Sequence, residues 1–540
     1  MRKPIIRWLA IVLAFSFLAA SCGGESSDGD AADTPDTDTG DTDDTGGDTD
    51  TDTDDTDTDD GDTDTGDTDT GDANIYDDPR DGIFDEFQQT YDRGDHPFTQ
   101  VDQFCLSHDA AADRVDTDTG ITADSINVGH LRSRLEDAVE IGFGIPVGDP
   151  KEMFEVLVDY INTECGGIRG RQLNLGYAEA DLLGAEVEAS RNRACLEMTE
   201  DQNNVIVMNS TGFQGSATLC IVEEQNTSFI STQGQTDEFM ARGEDRLISM
   251  SATLEENLRF LAEDLIATGA LEGKSLGVAA PNTPGQYEAV ETGLVQTLTD
   301  AGFDVVFDEL DCAGGTSCVG GVPESVQNMI DADVDVFFNV LNILSAPGYI
   351  NEMVTRGFEP GDVQFYATDF NSQSGELVSS QIANNPDAGA LYDGAIIVDF
   401  RSTGEFRDPD YVPNPFISEC NRIYSEFSPS GTSHDWDVSG ETGYSMVGSV
   451  CAIVRAMARA VYDAGDNPTI ADIQASLANL GPIDNNTLTP ASITPGKTQS
   501  ADAIQTLDWA YPCEQPLPFT RDSGEPICIT GRGDWRPAPR

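Results

Sequence analysis

Six short clusters of hydroxyl, amide and ionisable side chains stand directly after apolar runs of the chain: His130 to Ser133, Asn209 to Gly212, Ser231 to Gln233, Asn282 to Tyr287, Asn339 to Asn342 and Thr368 to Phe370. Groups of this kind exchange hydrogen bonds with a polar solute and do not by themselves make or break bonds. Ser210, Thr211, Ser231 and Thr232 suit a carboxylate or another polar group, above all beside helix starts with free N–H groups. The same residues also serve as plain helix N-caps. Tyr287 offers either an aromatic face for a ligand or a core ring at a helix start, and Asn339 adds an amide. Asp369 offers a partner for a cationic group, where the Coulomb term is large once water is expelled, or an N-cap. His130 and Arg132 read either as loop residues or as cations that favour an acid on the ligand.

Motifs for covalent chemistry are missing. Gly443-Tyr-Ser445-Met-Val-Gly448 is one residue too long for a nucleophile elbow and falls in a predicted helix. Gly273-Lys274-Ser275 resembles the end of a phosphate-binding loop, but the first glycine of that motif is replaced by Thr268 and a strand follows. No G-x-G-x-x-G follows a predicted strand. Four histidines and no C-x-x-C give no expectation of a metal, a cofactor or a catalytic triad.

The elements that must position the clusters are short apolar strands alternating with amphipathic helices from Ile121 onward, the pattern of βαβ units and a parallel sheet. A first series has strands at Ile126–Gly129, Gln172–Tyr177, Asn204–Met208 and Ser228–Ile230, with helices at Pro150–Thr163, Ala185–Thr199 and Ser216–Glu224. A second has strands at Ser275–Ala279, Asp304–Phe307, Val334–Asn339 and Gln364–Ala367, with helices at Glu255–Thr268, Tyr287–Ala301, Val322–Ala332 and Pro347–Arg356. Two such series predict two doubly wound lobes, about 121–250 and 251–390. Tyr392–Phe400 reads as extended and Pro415–Phe427 and Gly440–Ala464 as helices, too little for a third lobe. In open parallel sheets ligands bind beyond the carboxyl ends of the strands, which is where the six clusters fall.

The 540 residues carry 98 acidic against 28 basic side chains, a formal charge of −70. Nucleic acid is excluded as a partner, because binding it needs clustered Lys and Arg. The segment 23–72 holds 21 Asp, one Glu and no base, in an Asp-Thr-Gly repeat. It reads as a self-repelling coil, spanning roughly 40 Å or more. Its spacing fails as a calcium loop, since Gly61 comes one position late and no Glu closes the loop. Residues 73–120 are polar and poorly periodic. The remaining acidity spreads over the body as a solvated surface.

Residues 1–22 have a basic start, an apolar run from Ile5 to Ala20 and a small-residue end, the layout of an export signal. The run is short for a spanning helix, which needs about 20 residues. The end Leu18-Ala-Ala-Ser-Cys22 resembles a bacterial lipoprotein signal. That resemblance implies lipidation of Cys22 and a place at the cell surface or in the periplasm. Ten further cysteines, an even number in an exported chain, predict five disulfides. Cys312 with Cys318 and Cys513 with Cys528 are the pairs expected from short Gly- or Pro-containing loops.

The run Ile126-Asn-Val-Gly-His130, the helix end Ile161-Asn-Thr-Glu-Cys-Gly-Gly-Ile-Arg-Gly170 and the strand Arg171–Tyr177 resemble the start of a branched-chain amino-acid-type periplasmic binding protein. Lys274-Ser-Leu-Gly-Val-Ala-Ala280, Gln286-Tyr287 and Asp300-Ala-Gly-Phe-Asp-Val-Val306 extend the likeness, which covers about Ile121 to Ala510. The family is the type I solute-binding proteins of ABC transporters. It implies two Rossmann-like α/β lobes joined by a three-strand hinge, late helices returning to both lobes, and a ligand in the cleft. It further implies a carboxylate site at Ser210, Thr211 and Thr232, a covering aromatic at Tyr287 and an ammonium partner at Asp369. Asn339 to Asn342 departs from the family's Gly- and Tyr-rich loop, so the solute need not be an amino acid. The expected function is capture of a small polar solute, of the amino-acid, amide or short-peptide class, for an ABC permease, with membrane contact through the lipid anchor and no catalysis. The alternatives are a ligand-sensing receptor ectodomain of the same fold and an exported α/β hydrolase.

Overall fold

The computed structural model describes residues 105–106, 112–137, 147–182, 186–213, 215–283, 285–312, 318–370, 375, 381–400, 415–434, 443–483, 491–514, 527–533 and 535–538. The signal, Cys22, the acidic tract and most of 73–120 lie outside these residues.

Lobe 1 is a five-stranded parallel sheet built from β1 (Ser125–Ser133), β2 (Gln172–Ala180), β3 (Ile206–Asn209), β4 (Ser228–Ser231) and β5 (Leu247–Ser249), in the order β2-β1-β3-β4-β5. Helix α1 (Pro150–Thr163) starts where Asp149 accepts bonds from the Lys151 and Glu152 N–H groups, with proline at its first position. Its Met153, Phe154, Leu157 and Ile161 are buried against the sheet. Helices α2 (Val187–Leu196) and α3 (Ala217–Leu219), each prolonged by a wider turn, cover the opposite face, and α4 (Asp237–Gly243) follows β4. Alternation along β1 divides the two cores. Ile126 and Val128 pack with α1, whereas Leu131 joins Val207, Phe213 and Phe229 beneath α2 and α3.

Lobe 2 opens with α5 (Leu254–Thr268). A capping box between Thr253 and Glu256 starts this helix and Gly269, at φ 70°, ends it. The parallel strands β6 (Leu276–Pro281), β7 (Val305–Leu310), β8 (Val336–Asn339), β9 (Gln364–Thr368) and β10 (Ile396–Asp399) run in the order β7-β6-β8-β9-β10. Between them lie α6 (Gln286–Ala289), which runs through wider turns into α7 (Gln296–Asp300), then α8 (Val322–Asp331), α9 (Ala346–Thr355) and α10 (Pro386–Tyr392). Both faces of this sheet are buried: Phe337 belongs to one core and Phe338 to the other.

The C-terminal third serves both lobes. Helices α11 (Pro415–Phe427), α12 (Gly443–Asp463) and α13 (Ile470–Leu477) join the core of lobe 1 with α1. Among the described helices α12 alone is long and apolar enough to cross a membrane, and most of it is buried in that core. A short hairpin of β11 (Gly481–Pro482) and β12 (Ser492–Ile493) follows. Then β13 (Ala503–Glu514) pairs antiparallel with β10, β14 (Ile527–Arg532) with β13, and β15 (Arg536–Pro537) with the start of β13, which widens the sheet of lobe 2.

The chain passes from lobe 1 to lobe 2 after Ser249, and a later passage from lobe 1 to β13 runs parallel beside that point. The Ser249 N–H donates to the Thr498 carbonyl at 2.9 Å, and the Ser500 N–H donates to the Ser249 carbonyl at 2.9 Å. A further passage, between β10 and α11, runs through residues outside the described set. All ten body cysteines are paired: Cys105–Cys165, Cys195–Cys220, Cys312–Cys318, Cys420–Cys451 and Cys513–Cys528.

Cys420–Cys451 ties α11 to α12 across 31 residues and lies wholly in the core of lobe 1. Removing it as the double variant Cys420→Ala, Cys451→Ala should lower the unfolding free energy by about 2–4 kcal/mol, chiefly by freeing the unfolded chain. Urea unfolding followed by circular dichroism measures this.

Candidate functional site

A cavity of about 70 Å³ lies where the lobes face each other. Lobe 1 contributes Glu188 and Arg191 from α2, Gly215, the run Gly234-Gln235-Thr236 between β4 and α4, and Phe239 on α4. Lobe 2 contributes Leu254 at the start of α5, Thr283 and Gln286 after β6, and Asn342 after β8. Apart from α2 and Leu254, these residues lie beyond strand carboxyl ends, as expected for parallel sheets. The lobes touch beside the cavity. Gly285 has φ 82°, and a Cβ there would stand 2.9 Å from the Thr236 methyl carbon. The space is far below the ~300 Å³ of an ordinary ligand pocket.

The site is held by its own hydrogen bonds. Arg191 donates to Glu188 at 2.8 Å and to the Gly212 carbonyl at 3.3 Å, while its buried Nε has no partner. Burial draws the Arg191 pKa down, and Glu188 opposes this. Glu188 also accepts from Ser216 at 3.1 Å. Gln235 accepts from the Thr218 hydroxyl at 3.2 Å and donates to Ser231 Oγ at 3.3 Å. Asn342 accepts from the Leu344 and Ser345 N–H groups, both at 3.1 Å, and so shapes its loop. The ensemble is a guanidinium, several amides and hydroxyls, and two apolar walls. It can orient a small polar molecule, and among the described residues no cluster suited to a metal occurs.

None of the eight residues expected at the site is among the described residues that line this cavity. Thr211 accepts from the Ser133 N–H at 3.1 Å and donates to the Ser133 carbonyl at 3.3 Å, tying β3 to β1. Ser231 is buried and accepts from the Gln233 N–H and Gln235, so it supports the cavity from behind. Thr232 and Asp369 are buried at the ends of β4 and β9. Asn339 donates to the Tyr392 hydroxyl at 3.1 Å and so joins β8 to α10. Tyr287 stacks on Phe307 with centroids 4.9 Å apart. Arg191, Gln235, Thr236 and Phe239 were not expected. The signal for Arg191 was a helical arginine ahead of the Gly212 and Gly215 turns.

His130 and Ser210 belong elsewhere. His130 is fully buried on β1, stacked on Phe154 at 3.9 Å, with Nε2 3.4 Å from Ser210 Oγ. Burial above all, then Arg132 and Lys151, holds its imidazole down at about pKa 3. It lies under a second cavity, of about 640 Å³, confined to lobe 1 and bounded by α1, β2 and the end of α11. Arg132 is fully engaged: it donates to Tyr177 at 2.7 Å and bridges Glu179 and Glu136.

A histidine neutral in the fold takes up a proton on unfolding, so its contribution is complete above the unfolded pKa of about 6.5 and declines as pH falls from there towards 3. His130→Phe should therefore lose less stability than the parent between pH 6.5 and 5, by up to about 1.4 kcal/mol per pH unit. Urea titrations at a series of pH values test this. At the lobe contact, Gly285→Ala forces a left-handed φ on a side chain that also meets Thr236. It should cost about 1–2 kcal/mol in stability, as calorimetric unfolding would read.

No protein-family model and no curated relative matches the sequence. Solved structures do match. A solute-binding protein of an ABC transporter from R. palustris, in complex with 4-hydroxybenzoate, superposes with TM-score 0.53 at 13% identity, over 77% of this chain and 98% of that one. A possible leucine/isoleucine/valine-binding protein from Rhodopirellula baltica gives 0.51 at 13% identity, over 75% and 98%. A fatty acid ABC transporter substrate-binding protein from Thermomonospora curvata gives 0.51 at 14% identity, over 74% and 92%. At these identities the likeness is one of fold. The chain has the two-lobed α/β fold of the type I periplasmic solute-binding proteins of ABC transporters, branched-chain amino-acid binders included.

Proposed function

We propose that this protein captures a small polar solute between its two lobes, outside the cytoplasm, and presents it to an ABC permease, without catalysis. The observation that carries the reading is the interlobe cavity, to which lobe 1 brings Arg191, Gln235 and Thr236 and lobe 2 brings Thr283, Gln286 and Asn342. A ligand touching both sets favours the closed arrangement, because half of its contacts vanish on opening. The paired cysteines and the export-signal layout of residues 1–22 support an extracytoplasmic place. Lipidation at Cys22, with the acidic tract as a spacer, would hold the body near the membrane.

Our reading of the solute class rests on the cavity and not on the similar structures, whose ligands range from 4-hydroxybenzoate to fatty acids. Amides and hydroxyls dominate, one guanidinium is paired with Glu188, and Leu254 and Phe239 supply apolar walls. This favours a compact amino acid, amide or short peptide with both donors and acceptors.

The test is thermal unfolding of the full chain with leucine, glutamine, urea, acetamide, a dipeptide, 4-hydroxybenzoate and octanoate. A true solute at a hundred times its Kd should add about 2.7 kcal/mol. Gln286→Leu should abolish that gain while leaving the solute-free melting temperature within a few degrees. Absence of any response across the panel, with the protein folded, would count against the reading.

A further inference from the structure

The lobes meet at one buried carboxyl group outside the cavity. Glu255 stands in the first turn of α5, in lobe 2, and is 7% exposed. Its Oε2 accepts a hydrogen bond at 2.9 Å from the backbone N–H of Asp237, the first residue of α4 in lobe 1. The contact adjoins the solute site, since Thr236 and Leu254, the neighbours of the two residues, both line the cavity. Gly293 packs against the main chain of Glu255 within lobe 2, where a Cβ would lie 2.6 Å from the Glu255 carbonyl oxygen.

We infer that closing the lobes takes up one proton, bound by Glu255, so that solute capture is linked to proton binding. In the closed arrangement the carboxyl group is stripped of water and receives backbone N–H bonds only from Asp237 and from its own residue, too little to compensate a full buried charge. The charged groups acting on it are few. Asp237 on α4 repels the ionised form, and Arg259, one turn along α5, favours it. Arg259 is already paired with Asp237 at 3.3 Å. Glu256, the next acid on α5, is turned to the Thr253 N–H and to Gln499. Burial, the largest influence, raises the Glu255 pKa to about 7.

The sign follows. When the lobes separate, the carboxyl group regains water and its pKa returns towards the ordinary carboxylate range, near 4.3. Closure is then unaffected by pH well above 7 and becomes more favourable as pH falls from 7 towards 5, by up to about tenfold in the closure constant per pH unit for one proton. The neutral isostere in Glu255→Gln can still accept the Asp237 N–H bond and needs no proton, so it should close equally at every pH.

The inference rests on lobes that open and close, as the proposed function requires. It is tested on the full chain by energy transfer between dyes on unnatural residues introduced at Glu224 and Glu359, exposed on lobe 1 and lobe 2. The expected result, without solute, is a population of closed molecules that grows at least tenfold relative to open ones between pH 7.5 and 5.5 in the parent and stays constant in Glu255→Gln. Circular dichroism verifies the fold of both. A parent that closes with a solute from the thermal panel but shows no pH step overturns the proton linkage and leaves solute capture standing. An equal step in parent and variant also overturns it, by assigning the step to other groups. A distance that answers to neither pH nor solute overturns both.

Discussion

Each lobe buries its own hydrophobic core, and the two are joined by chain passages and by a thin polar contact. Apolar burial, at about 25 cal/mol per Å², is what holds a domain together, and here it is spent within lobes: Ile126, Phe154 and Tyr424 in one, Phe337, Tyr392 and Trp509 in the other. The interlobe surface is mostly polar and includes Thr236, Asp237, Glu255, Arg259, Gly285 and Gln286. Contacts of that kind are individually worth about 1 kcal/mol or less. The lobes can therefore part without unfolding, and under the proposed function a solute of ordinary affinity decides which arrangement prevails.

The hydrogen bonds that join Ser249 to Thr498 and Ser500 tie together two of the passages between the lobes. The C-terminal helices and β13 to β15 strengthen the lobes separately, α12 beneath lobe 1 and Trp509 beneath lobe 2. Four of the five disulfides within or beside these cores join elements of one lobe, and the fifth brings Cys105 to the end of α1. Rigid halves and a soft contact are what a clamp needs.

Most strands of both parallel sheets could be placed from periodicity, because Ile126–Gly129 or Val334–Asn339 are compact apolar runs with helical patterns after them. β5 escaped, being only three residues long, and so did β13, whose partner β10 lies a hundred residues earlier, together with β14 and β15, which pair with β13. The site was harder. Reading strand ends located the right edge of each sheet but not which side chains face the cleft. Thr211, Ser231 and Asn339 bind their own lobe instead, and no sequence pattern reports that Thr211 will meet Ser133 or that Asn339 will meet Tyr392. Arg191 and Gln235 reach the cavity from one turn or a few residues further on, positions set by tertiary packing.

The central claim is that one solute engages both lobes at the cavity bounded by Arg191, Gln235, Gln286 and Asn342. Hydrogen exchange of the full chain, with and without a solute that stabilises it, addresses this directly. A solute held by both lobes gives new protection in 233–239 and in 285–290 together, on either side of the cleft. Protection confined to one lobe, for example around Tyr160, Leu175 and Phe427 at the lobe 1 cavity, would contradict it.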